Sequence, residues 1–279
     1  MSALVPAIPV PRSRRVAGVP FRRPRLVAAE VLKLRKRRGL VIVTFALTVG
    51  VTALVYGILA LLHASNAATH GPAGGVTNLG HSLLVLTLLG GVCATLVGTA
   101  AGASDLSAGV FKELVVTGRS RRALFAARIP GGLAFLLPIV ATAYAIAAVA
   151  SVVFAGSLAA PSVGLLATSG AWVLLVVSFW FALALGLASL LGSRSTTIGV
   201  LVALQLAIVP ILNGINLLGV GRDAVPGAGL SRLAPDAVRP DAVQGIVPPM
   251  SVAAAVFAVA LTVAIALGLG AWRTATRDA

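Results

Sequence analysis

The chain has 279 residues, 58% of them hydrophobic and 10% charged, with a mean hydropathy of +1.03; an ordinary soluble domain is ~25% charged. That excludes a water-soluble globule and, with recurrent uncharged runs longer than ~18 residues, indicates a polytopic membrane protein. Lys and Arg number 22 against 7 Asp and Glu, a net charge of +15, but the basic residues cluster between apolar runs. They are a topology signal, and no nucleic-acid partner is implied.

Residues 1–25 hold Pro6, Pro9, Pro11, Pro20 and Pro24 among arginines and no apolar run that could serve as a signal-peptide core. They are expected to form a disordered basic cytoplasmic tail. Residues 26–279 are expected to be one membrane domain. Its lead-in, residues 26–38, has Val27, Val31 and Leu34 at helical spacing and a basic cluster at its end. Such a helix suits a membrane surface, either as a specific interfacial element or as a plain positive-inside anchor.

Six spans are expected, at about residues 40–62, 82–103, 129–155, 164–191, 197–220 and 251–272, and none contains Asp, Glu, Lys, Arg or His. The positive charges of alternate segments divide 19 against 3. Translocating Lys and Arg is disfavoured, which puts both termini and the loops 104–128 and 192–196 in the cytoplasm of a multi-pass protein of the cell's inner or plasma membrane. Cys93 is the only cysteine, so an intramolecular disulfide is impossible.

Loop 104–128 is far longer than the ~2–8 residues that join adjacent helices and must carry structure of its own. Leu106, Val110 and Leu114 repeat at four-residue spacing, with Ser104 or Asp105 as an N-cap and Gly118 as a stop. Ser120 is positioned to cap a second helix that runs through Arg121, Arg122 and Arg128 into the third span.

At these residues the sequence resembles the permease subunits of the type-2 ATP-binding-cassette transporter family. The stretch Asp105-Leu-Ser-Ala-Gly109-Val-Phe-Lys-Glu113-Leu-Val-Val-Thr-Gly118-Arg-Ser120-Arg121 is similar to that family's cytoplasmic pattern, and Glu30-Val-Leu-Lys33-Leu-Arg35 to its amphipathic lead-in. Gly118 stands where the family commonly has Pro, and Ala108-Gly109-Val110 replaces Gly-Thr-Leu. The resemblance implies an all-α fold of six transmembrane helices with an interfacial N-terminal helix and a cytoplasmic coupling helix between spans 2 and 3. In that helix Asp105, Gly109, Glu113 and Arg121 would contact the ATPase. It also implies two copies of a separate ATPase subunit, which would hold ATP and Mg, and a second permease subunit, identical or homologous. On elementary grounds the same acids would instead cap and solvate a surface helix while the arginines meet anionic lipid.

No lysine among Lys33, Lys36 and Lys112 follows a glycine, so the chain has no phosphate-cradling loop of the Gly-Lys-Ser/Thr kind, and ATP hydrolysis would fall to the partner. The spans hold no ionisable residue suited to proton relay. His63, His70 and His81 fall in or at the edge of the first outer loop with no carboxylate, which reads as solvated loop histidines, and no enzyme, cofactor or metal site is expected.

Within the second span Gly90, Ala94, Gly98 and Gly102 make a four-residue ladder, expected to pack against another helix of the same subunit. In the fifth, Gln205 and Asn216 return to nearly one face, with Pro210 and Asn213 between them. These polar residues either line a substrate path or glue helices together. Residues 221–250 are rich in proline, and Leu230-Ser-Arg-Leu233 is placed to start a short helix. Two readings follow: a permease subunit of an exporter with membrane lipid around it, or a membrane scaffold or assembly factor that translocates nothing.

Overall fold

The computed structural model describes residues 23–107, 109, 120–214, 225–235 and 250–276, and among these every regular element is helical. Helix α1 (Arg23–Arg35) is followed by an elbow at Lys36 and Arg37 and then by α2 (Arg38–Ser65), which contains a π-helical turn at Ala46–Gly50. Then come α3 (Gly75–Ser107), α4 (Arg121–Val153) and α5 (Val163–Leu191). Helix α6 (Arg194–Ala203) passes through a second π-helical turn, Leu204–Ile208, into α7 (Val209–Gly214). The short α8 (Ala228–Arg232) and the long α9 (Val252–Thr276) complete the described chain.

Among the described residues five helices are long and apolar enough to cross a membrane: Arg38–Ser65, Gly75–Ala103, Arg121–Val153, Val163–Leu191 and Val252–Thr276. The protein is therefore an all-α, multi-pass membrane protein. The sixth expected span, 197–220, meets a divided run of helix whose apolar part, Arg194–Ile208, is shorter than the others, and residues 215–220 lie outside the described residues.

The termini of these helices follow from their sequences. Ser120, Ser162 and Ser193 stand in extended conformation before α4, α5 and α6, and each hydroxyl accepts an amide hydrogen from the first turn. Ser120 thus caps the helix it was expected to cap. Gly192 ends α5 at φ 72°, a left-handed C-cap open to glycine.

α3 and α5 pack face to face through the center of the bundle, and the glycine ladder is the reason they approach so closely. A Cβ on Gly98 would lie 2.6 Å from the Phe181 carbonyl oxygen, and one on Gly102 2.8 Å from the Ala188 Cβ. The ladder therefore serves packing inside the subunit, as expected. On the other side of α5, α9 crosses at Gly186 and Gly270, where a Cβ on Gly270 would lie 2.8 Å from the Gly186 carbonyl oxygen. The rest of α9 turns Val256, Phe257, Leu261 and Ile265 outward, as a lipid-facing helix does. Between α5 and α9 sits α8, held by the Trp172 indole N–H donating to the Leu230 carbonyl at 2.9 Å and by Arg232 Nε donating to Met250 at 2.9 Å.

Two expectations need correcting. The helix of the second span does not end at residue 103 but continues to Ser107, so Ser104 and Asp105 lie inside its last turns and neither caps a new helix. At its other end the same helix begins at Gly75, which places His81 on a helix and not in a loop.

Candidate functional site

Four ionisable side chains converge where α1, the end of α3 and the start of α4 meet. Glu30 and Lys33 are three residues apart and so share one face of α1. Leu34 on that helix is buried at 2% exposure and fastens it to the bundle. Gly131 on α4 makes room for the contact, since a Cβ there would lie 2.6 Å from the Glu30 Cβ. Arg128 lies three residues before Gly131, on the same face of α4 and pointed into the same junction.

Asp105 is the hub. Its Oδ1 and Oδ2 accept from Lys33 Nζ at 2.9 and 3.0 Å, and Oδ2 also accepts from Arg128 Nη2 at 2.8 Å. Lys33 donates to Glu30 Oε1 at 2.9 Å, and Arg128 Nη1 donates to the Gly102 carbonyl at 3.2 Å. The Arg128 side chain is 1% exposed and the Asp105 side chain 10%. Two acids and two bases cancel, which is what allows charge to be buried here. Burial alone would raise the Asp105 carboxyl, but the charges of Arg128 and Lys33, and their hydrogen bonds, outweigh it and hold the group below its ordinary value. Arg128 Nε and Glu30 Oε2 are buried with no hydrogen-bond partner among the described residues. The cluster binds three helices of widely separated sequence into one mechanical unit.

The other expected site residues are distributed as follows. Gly109 sits just beyond α3 with φ +70°, exposed and with open space where a Cβ would be. Arg121 Nη1 donates to the Ala275 carbonyl at 3.3 Å, joining the start of α4 to the end of α9. Glu113 and Asn216 lie outside the described residues, as does the side chain of Asn213. Gln205, in the second π-helical turn, donates from Nε2 to the Leu88 carbonyl of α3 at 2.9 Å. It also borders a cavity of about 290 Å³ lined by Leu84, Trp172 and Trp180. Its amide therefore joins two helices at a cavity wall.

Among the described residues no group of three His, Cys, Asp or Glu side chains stands close enough to hold a metal ion. His63, in the last turn of α2, bonds through Nδ1 to the His70 carbonyl of the following loop at 2.7 Å.

No family model matches the chain, and comparison with curated proteins finds no match.

Sequence reasoning singled out Asp105 for contact with a partner and missed its pairing with Lys33 and Arg128. The Glu30/Lys33 spacing was a visible signal for one pair; the link to Asp105, 72 residues on, was not.

Proposed function

We propose that the chain is a transmembrane permease subunit of a type-2 ATP-binding-cassette exporter. It is driven by two copies of a separate ATPase subunit, which carry ATP and Mg, and is paired with a second permease subunit. In this reading it has six spans in the cell's inner or plasma membrane, with both termini and segment 104–128 in the cytoplasm. The observation that carries the proposal is the Lys33–Asp105–Arg128 junction. An ATPase pressing from the cytoplasm needs a rigid link between the loop it touches and the helices that must move. Asp105 supports such a link, since it ties the α1 helix and the beginning of α4 to the last turn of α3, at the start of the segment that resembles the family's coupling helix.

Mechanistically, closure of the ATPases would push on residues 109–121, and the junction would pass that displacement to α1, α3 and α4 as a body. Asp105 then acts as a positioning residue, while Gly109, Glu113 and Arg121 remain the proposed contact residues.

The test is ATP hydrolysis and substrate flux in liposomes that contain permease and ATPase, unmutated and with Val110→Pro. Pro in a helix interior costs ~3 kcal/mol, enough to unmake a short surface helix but not a bundle of apolar spans. Coupled flux lost in the variant with insertion intact is the expected result; coupled flux unchanged by it removes the coupling role. Absence of any ATP-dependent flux in the unmutated complex favours the scaffold. Orientation is tested by cysteine labelling, with Ser120 reacting only from the cytoplasm and Thr69 and Asp236 only from outside. Cys93 contributes little background, being fully buried.

A further inference from the structure

Hydroxyl groups on membrane helices ordinarily bond back to the carbonyl one turn earlier. Thr48, Thr87, Thr99, Ser178, Thr262 and Thr274 all do so here, at 2.7 or 2.8 Å. Thr44, Thr95 and Ser189 have no side-chain partner but are walled into the packing. Thr52 and Ser82 behave differently. Each is more than nine-tenths buried as a residue, neither hydroxyl has a partner among the described residues, and both border a cleft of about 220 Å³ between α2 and α3. The remaining lining is Asn78 and His81 on α3 with Val55, Leu59 and Val85.

The position of the cleft is informative. His81 lies 24 residues from Asp105 along one continuous helix, about 36 Å at 1.5 Å per residue, whereas the hydrocarbon layer is ~30 Å thick. With the ion cluster at one membrane surface, this polar cleft falls at the headgroup level of the other. Its apolar wall is made by Val55 and Leu59 on α2 and by Val85, which is exposed on α3.

The polar groups define what it would hold. Neutral hydroxyls and an imidazole each both donate and accept. Asn78 donates from Nδ2 to the Pro72 and Gly74 carbonyls at 3.0 Å, which leaves its Oδ1 as an acceptor. Among the described residues no Lys, Arg, Asp or Glu lines the cleft, and no Phe, Tyr or Trp does. A phosphate would need donors and fixed positive charge, and a quaternary ammonium a carboxylate or an aromatic cage. A sugar or glycerol hydroxyl, which donates and accepts in equal measure, matches the set. The volume far exceeds the ~10–15 Å³ that one water requires.

We propose that the cleft formed by Thr52, Asn78, His81 and Ser82 binds an amphiphile with an uncharged polyhydroxyl headgroup, its apolar tail lying along Val55 and Val85. The site does not depend on the transporter reading, because it needs only the membrane-spanning fold.

The experiment is native mass spectrometry of the full chain released from micelles that contain monoglucosyl diacylglycerol and phosphatidylglycerol of identical acyl chains in equal amounts. The unmutated protein should retain the glucosyl lipid at least fivefold over phosphatidylglycerol, with methyl glucoside in hundredfold excess failing to displace it. Thr52→Val and Ser82→Ala should each lower that retention roughly two- to tenfold, the worth of one hydrogen bond. Thr142→Val, on an exposed face of α4, should leave it unchanged. His81→Leu alters an exposed position and supplies the same readout if either buried variant fails to purify. Equal retention by all variants, preference for phosphatidylglycerol, retention of neither lipid, or displacement by methyl glucoside would each overturn the proposal.

Discussion

Helix α3 is one continuous element whose two halves live under different rules. From Gly90 to Asp105 almost every described residue is buried, glycines admit α5 to backbone contact, and the final acid is neutralised by two cations. From Gly75 to Leu88 the same helix exposes Thr77, His81, Leu84, Val85 and Leu88 and borders two cavities. Small residues make the first half a rigid rail, since a glycine face gives a neighbour nowhere to slide without collision. Larger and more polar residues on the second half border the two cavities. Where the helix is tight it can transmit displacement; where it is open it can receive a molecule.

The most severe way to break this asymmetry is Arg128→Met. It leaves Asp105 buried beside only one cation, and removing one member of a buried pair costs about 3–5 kcal/mol. The thermal midpoint of the detergent-solubilised protein should fall accordingly, and Arg128→Met combined with Asp105→Leu should recover much of the loss. Next in size is Gly98→Ala, where the new methyl meets backbone of α5 and overpacking costs ~1–3 kcal/mol. Thr77→Ala, on the exposed half of the same helix, should shift the midpoint by less than ~0.5 kcal/mol.

Acid should act selectively on the tight half. The folded Asp105 carboxyl lies below its ordinary value, so its contribution is fully present above the unfolded value of ~3.9 and is lost as pH falls through the folded one. The stability gap between unmutated protein and Asp105→Asn should therefore be constant from about pH 7 to pH 5 and close only below about pH 4, which a pH series of thermal midpoints measures. Within the ion cluster the smallest effect is that of Lys33→Gln: that side chain is 31% exposed, its pairs are partly screened, and a loss of about 1 kcal/mol or less is expected.

Much of the tight half was legible. Uninterrupted apolar runs gave the long helices, the Gly90–Gly102 ladder gave its own packing role, and Ser120 announced the start of α4. These signals are local, carried by residues within a few turns of each other. Asp105 shows where locality ends. Between apolar residues and a glycine-containing loop it read as the cap of a new helix, because nothing nearby reveals that Lys33 and Arg128 arrive from other helices to neutralise it. His81 read as lying in or at the edge of the first outer loop for a related reason: a histidine and an asparagine before an apolar run resemble a boundary, although the helix has already begun at Gly75. Gln205 was read as either path-lining or adhesive, and the structure gives it a bond to Leu88 and a place at a cavity wall. Neither π-helical turn had any sequence signature.

Those two turns have a consequence for lineage. A π-helical turn holds one residue more than the α-helical ladder accommodates, so the helix beyond it is rotated by about 100° relative to an uninterrupted one. Ala46–Gly50 and Leu204–Ile208 therefore amount to single-residue insertions, and both lie in helices that flank the open half of α3. A descendant of the same ancestor without them would carry a one-residue gap at each position, inside a helix where gaps are otherwise avoided. Beyond each gap the faces of the helix would be turned by a quarter turn or more, so that Thr52 after the first and Val209 after the second would find different neighbours.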